Sequence, residues 1–410
     1  MKKKIIVAAG LAVLSTSAFA TKARMEALGQ DANTGSFFMG DSRSVFSNAS
    51  DVNSMNNYIV TEWGSPLDTD DAQATPHAEG GFFREMGDFA YGVYFGNEYN
   101  GQNAERAALA AGSAVGNTTA PGTAYDSFLF HDNALDLFFA GDMGAEWGVR
   151  VHYAHSTDER GDNAGTAFDR THSAFGLGLG IKHGMLSAYA NLGINDESEG
   201  SNATAGDKFE GDFGLNLGVA YSMAGWTMYA DYDSTGFEAT DTSTAGKTAD
   251  YEKTVLRLGA GNTHEVSSTA RLYTEVYYTN TNEESTFTAS TGATASGAEV
   301  STWQMPVVIG FEADATSWLV LRGSISQELF GSTSTNTKNS TSTSASNDKK
   351  NPNLNDTKVN AGATLNFGKL KVDGVIGTGV FGGATAGANT NAGVLNTDNL
   401  MSRVAVHYWF

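Results

Sequence analysis

The chain has 410 residues, a formal charge of −21, 48 glycines, 5 prolines and no cysteine. Such acidity excludes general electrostatic binding of nucleic acid, and the missing thiols exclude a disulfide framework or a thiolate metal centre. A mean hydropathy of −0.26 argues against helical membrane spans. It does not exclude spans built from strands, because every second residue of a transmembrane barrel faces water.

In chain order, Lys2, Lys3 and Lys4 precede an apolar run from Ile5 to Leu14, and Ala18-Phe19-Ala20 follows with small residues at alternate positions. This is the three-part pattern of a secretory signal peptide, with cleavage expected after Ala20. The run is too short for the ~20 apolar residues of a spanning helix. Losing the three lysines takes the charge from −21 to −24. Residues 21–55 show no period-two pattern, only a helix-prone turn or two at Ala23–Leu28. They form either a periplasmic lead-in, the weightier alternative, or a segment tucked into a lumen.

From residue 56 to 410 the chain divides into hairpins. At Phe209–Met223 the expected outer parity is Phe209, Gly211, Phe213, Leu215, Leu217, Val219 and Tyr221. After a turn at Ala224-Gly225, Trp226, Met228, Ala230 and Tyr232 oppose Thr227, Tyr229, Asp231 and Asp233. The same division recurs at 146–155, 270–280 and 358–367. These alternations last ten residues or more, whereas soluble strands run ~5–6 and a tilted transmembrane strand needs ~9–11. Short turns are expected near Gly87, Gly144, Gly184, Gly225, Thr263, Thr316 and Gly368. Long polar links are expected at 65–78, 98–133, 156–171, 195–208, 234–250, 281–301, 330–355 and 378–399. Short links on one rim and long links on the other are the signature of an all-β transmembrane antiparallel up-and-down β-barrel. The count is about sixteen strands, with fourteen or eighteen as alternatives. Four prolines fall in links, and Pro306 falls near an expected strand end. The closing stretch puts Val404, Val406, Tyr408 and Phe410 on an oily face and Arg403 and His407 on a wet one.

That terminal strand with its final Phe resembles the closing strand of bacterial outer-membrane barrels, in which the segment is also read by the insertion machinery. Three further stretches, Lys22–Gln30, Asp41–Phe46 and Asn57–Gly64, are similar to the amino-terminal region of the porin-like major outer-membrane protein of predatory Bdellovibrio-type bacteria. The resemblance covers about the first sixty-five residues and the last strand. It implies an abundant surface barrel, oligomeric and set in outer-membrane lipid, and it transfers no substrate.

A sixteen-stranded barrel is wide enough for an aqueous channel, so inward parity should be polar. Arg150, Arg257, Arg271, Arg322 and Arg403 fall on wet faces, with Glu146, Asp231, Glu275 and Glu312. They are the candidate pore-lining residues, most bracing a wet lumen and a few filtering solutes. Inward glycines such as Gly176, Gly178 and Gly180 widen the bore or let a segment pack on the wall. The link 98–133, with helix-prone Ala104–Ala111, is the candidate constriction loop. Small outward residues (Ala361, Ala363, Gly323, Ala188, Ala190) suit side-by-side association as a homo-oligomer. His131, His152, His155 and His172 lack a nucleophile motif, so the chain is not expected to be an enzyme. The acidic clusters lack the spacing of a dedicated calcium loop, and no cofactor is implied. The expected function is a porin passing small hydrophilic solutes and ions. The alternatives are a hatch-gated channel for hydrophobic substrates and a mainly structural surface barrel.

Overall fold

The computed structural model describes residues 21–55, 57–64, 78–97, 129, 133–160, 168–202, 206–241, 247–288, 296–339, 342–343, 347–349, 357–381 and 403–410. The expected leader, residues 1–20, and nearly all of the candidate constriction loop, including Ala104–Ala111, lie outside the described residues, as does His131.

Nineteen strand segments form one sheet. In chain order they are β1 (Tyr58–Gly64), β2 (Glu79–Met86), β3 (Phe89–Phe95), β4 (Ala134–Asp142), β5 (Glu146–Arg160) and β6 (Phe168–His183). Next come β7 (Leu186–Asn202), β8 (Gly206–Gly211), β9 (Gly214–Met223), β10 (Trp226–Asp241), β11 (Lys247–Ser267), β12 (Ala270–Thr288) and β13 (Ser296–Asp314). The last are β14 (Leu319–Asn339), β15 (Ser342–Thr343), β16 (Asn347–Lys349), β17 (Thr357–Phe367), β18 (Leu370–Phe381) and β19 (Arg403–Trp409). β8 and β9 are two halves of one stave, since both pair with β10. β15 and β16 fold back on the outer part of β14. Every pairing is antiparallel, and β1 closes the ring on β19 with Tyr58 opposite Trp409. The result is a closed barrel of sixteen staves.

Alternation explains the closure. In β10 the even residues Trp226, Met228 and Tyr232 are exposed on the outside, and Thr227 and Tyr229 are buried within. β19 behaves as its sequence requires: Tyr408 and Phe410 stand outside, while Arg403, Ala405 and His407 are buried inside. Rings gather at both edges of the outer apolar band. Phe89, Phe139 and Trp147 cluster near the short-turn rim, and Tyr278 stacks on Trp303 at 6.2 Å farther up.

Four expectations need correction. The turn expected near Thr263 lies at Ser268–Thr269, because β11 stays paired with β12 beyond Thr263. Much of the expected links at 156–171, 195–208, 234–250, 281–301 and 330–355 is strand. β11 and β14 each run 21 residues, ~70 Å at ~3.3 Å per residue. The outer part of β14 is polar on both faces and that of β11 on its outward face, as at Asp250 and Glu252, so ladder hydrogen bonds continue where the outer apolar band has ended.

The outer parity assigned to Phe209 and Gly211 is reversed. Between the pairs Gly211–Phe237 and Leu215–Ser234, four steps along one stave face three on the other. This bulge at Asp212–Phe213 flips the pleat. Phe209 therefore packs inside with Phe237, Tyr251 and Phe287. Finally, Pro306 sits within β13, at a register shift where Met305 faces Phe330 and Pro306 faces Glu328. A bulge tolerates its missing donor.

Candidate permeation pathway

The site is built from the amino-terminal segment. Thr21 caps a short helix α1 (Lys22–Ala27), its hydroxyl accepting from Arg24 N at 3.3 Å. A second turn, α2 (Ser44–Ser47), leads into a 3-10 turn at Ala49–Ser54, where Asn48 accepts from Ser50 N at 3.0 Å. The apolar residues Ala23, Met25, Ala27, Leu28, Val45, Val52 and Met55 are almost wholly buried. What buries them is the inner face of the strands. Val45, Phe46, Val52 and Met55 pack with Tyr58, Val60, Phe83, Tyr94 and Phe138, and Met25 and Leu28 pack with Tyr273. Residues 21–55 therefore pack against the inner face of the strands near the short-turn rim, as a plug.

Charge fixes the plug to the wall. Arg24 donates to Glu312 through Nε at 2.7 Å and Nη2 at 3.2 Å. Arg322 shares that carboxylate and also reaches Thr364 and, at 3.4 Å, Asp373. Asp373 accepts from the Thr21 hydroxyl at 2.8 Å and lies 3.2 Å from His407. Across the β19–β1 seam Arg43 meets Glu62 at 3.3 Å and Glu79 at 3.5 Å, and donates to Tyr94 Oη at 2.9 Å. Lys22 pairs with Glu79, and Lys182 with Asp51. Arg150 donates to Asp136 at 2.7 Å and to the Phe46 carbonyl at 3.1 Å. Gln30 donates to Glu275 at 2.8 Å. Phe37 stacks flat on Tyr229 with ring centroids 4.3 Å apart.

The inward glycines let this backbone approach. A Cβ on Gly180 would overlap Asn48 Oδ1 and Ser50 N, and one on Gly148 would overlap the Ala49 carbonyl. Gly180→Ala should therefore loosen the 3-10 turn at a cost of ~1–3 kcal/mol. The check is faster protease cleavage between residues 44 and 55 while the barrel stays folded.

Of the nine candidate pore-lining residues, four touch the plug directly. These are Arg150, Glu275 and Glu312, with Arg403 3.1 Å from Glu26. Arg257 shares a cavity lining with the plug. Arg322 meets the plug through Glu312. Asp231 accepts from Tyr189 Oη at 2.5 Å and Asn216 Nδ2 at 3.0 Å. Arg271 lies 3.7 Å from Glu265 near the rim. Glu146 is exposed at the same rim, opposite Lys182 in register. Sequence reasoning missed Arg24, Arg43, Glu62, Glu79, Asp136 and Asp373. The signal for Glu62 was present, since Tyr58, Val60 and Glu62 share one parity of β1. His152 and His172 pair with Asp136 at 2.8 Å and Asp196 at 3.0 Å.

Among the described residues, two sizeable cavities lie beside the plug. The lower, about 360 Å³, opens near Gly184 and Met185 and is lined by Phe37, Phe38 and Lys182 among others. The upper, about 460 Å³, is lined by Asp31, Asp196, Asp212, Asp233, Arg150 and Lys253 among others. They share Thr34, Ser47, Asn216, Asp231 and Arg257, so these five residues form a polar waist between them.

Asp41 adds a pH dependence. Burial pushes its carboxyl up to about 7, against the pull of the N–H groups of Ser36 and Ser44 that it accepts from. In the undocked segment the value is ~3.9. The docked form therefore holds an extra proton between those values, and docking weakens as pH rises from about 4 to 7. Protease protection of the segment should fall across that window, and Asp41→Asn should flatten the curve.

No family model and no curated protein sequence matches the chain. Among solved structures, the Ralstonia pickettii toluene transporter TbuX is 12% identical, covering 96% of this chain and 98% of its own, with a TM-score of 0.35. The Pseudomonas putida toluene transporter TodX is 10% identical, with 95% of each chain covered and a TM-score of 0.37. The translocator domain of autotransporter NalP from Neisseria meningitidis is 14% identical, covering 66% of this chain and 90% of its own, with a TM-score of 0.29. Likenesses this loose say nothing about what the barrel carries.

Proposed function

We propose that this chain is an outer-membrane channel, exported by cleavage after Ala20, that passes small hydrophilic solutes and ions along a narrow path beside its lumenal plug. The observation that carries this reading is the polar waist of Thr34, Ser47, Asn216, Asp231 and Arg257, shared by two cavities inside a barrel with an apolar exterior. A bilayer solvates that exterior, and only a closed ring of strands satisfies the backbone there. The resemblance to the porin-like major outer-membrane proteins fits the same reading. The stretches that carry it contain Arg24, Asp41, Arg43, Phe46 and Glu62, which dock the plug.

The plug itself favours a second reading, a hatch-gated channel for hydrophobic substrates. A planar bilayer separates the two. The purified protein should give a small, steady, ohmic step. Electrical silence together with saturable binding of a hydrophobic ligand would sink the hydrophilic channel and favour the hatch. Side-by-side association would use the small outward residues Ala361 and Ala363 on β17, whereas Gly323 opposite Ala361 on β14 lies beneath the Phe311 ring. Crosslinked native membranes should then show species larger than the monomer.

A further inference from the structure

The waist holds one cation whose nearest strand neighbour is already engaged. Arg257 on β11 faces Asp231 on β10 directly across the ladder. Residues so placed have Cβ atoms ~4.5–5.5 Å apart, close enough for an ion pair. Yet Asp231 Oδ2 accepts from Tyr189 Oη at 2.5 Å and Asn216 Nδ2 at 3.0 Å. The Arg257 guanidinium lies instead over the Tyr277 ring, 5.1 Å from its centroid. Among the described residues it makes no ion pair, whereas Arg24, Arg43, Arg150, Arg322 and Arg403 each pair with a carboxylate. Its surroundings are acidic: Asp31, Asp231 and Asp233 line the upper cavity with it. A site with a cation on one wall and carboxylates beside it repels bare anions and offers a seat to each end of a molecule carrying both charges.

We propose that Arg257 and Asp231, with Asp233, form a subsite for small zwitterions of the α-amino-acid type. The solute carboxylate meets Arg257 and the ammonium meets the aspartates. This inference rests on the hydrophilic-channel reading above and names its substrate class.

The test is swelling of proteoliposomes holding the full barrel, in alanine (zwitterion), lactamide (neutral) and lactate (anion), three solutes of nearly equal size. Alanine should enter faster than lactamide, and lactate slowest. In Arg257→Gln the alanine rate should fall roughly tenfold toward the lactamide rate, the scale of one lost charge-assisted hydrogen bond. Arg257→Lys should keep the preference. Heat-modifiable gel mobility confirms that each variant is a folded barrel. Equal entry of alanine and lactamide, or an unchanged preference in folded Arg257→Gln, overturns the subsite and leaves the channel standing. Entry of none of the three overturns the channel itself and the subsite with it.

Discussion

Deleting residues 21–55, with the export signal and all strands kept, should turn a narrow channel into a wide one. Single-channel conductance should rise at least several-fold, because a sixteen-strand barrel leaves an aqueous bore unless something fills it. The wall should survive: its closure rests on ladder pairing from β1 round to β19, to which the plug contributes nothing. Stability should nevertheless fall. Val45, Phe46, Val52 and Met55 would no longer cover Tyr58, Phe83 and Phe138, and each such side chain contributes ~1.5–3 kcal/mol when fully buried. Conductance and heat-modifiable mobility, measured together, separate an opened barrel from a failed one. An intact barrel with unchanged conductance would show that the segment does not limit flow.

The second large effect is expected at Glu312. This carboxylate stands between Arg24 and Arg322, all three being buried. Glu312→Gln leaves two guanidinium groups facing each other with half their countercharge removed. Breaking a buried pair from one side costs ~3–5 kcal/mol, and Asp373 relieves Arg322 only in part. The plug should loosen at α1, read as new protease cleavage near residues 21–30. Arg24→Met alone should also loosen it. The double variant should be far less damaged than the sum of the two, because the uncompensated cation is gone. Simple additivity would mean that Arg24 and Glu312 are not coupled as their geometry requires.

The barrel was legible in the sequence because sustained period-two alternation is a local property of strands such as Trp226–Tyr232 and Arg403–Trp409. Strand ends were not legible. Beyond the apolar band the outward face of β11 is polar, so Asp250 and Glu252 look like a link although they remain paired. The Phe209 inversion was also hidden, since one extra residue at Asp212–Phe213 leaves no mark on composition. The plug was half visible. Its sequence has helical turns and no strand period, which allows a lumen or a lead-in. Only the long-range partners decide, as with Arg24 on Glu312 and Arg43 on Glu62, and such pairings are not local. The inward glycines pointed to close packing on the wall without saying what packs there. At the waist, Arg257 and Asp231 were both recognised as wet-face residues. That Arg257 turns from its cross-strand aspartate to the Tyr277 ring has no sequence signature.

The absence of native cysteine makes one measurement especially clean. Single cysteines at Met25, Val45 and Val52, all fully buried, can be challenged with a bulky maleimide in native membranes and again after denaturation. If residues 21–55 fill the lumen, the three sites stay unlabelled until the barrel is unfolded. Rapid labelling of all three in the folded state would place the segment outside the ring and contradict the plug.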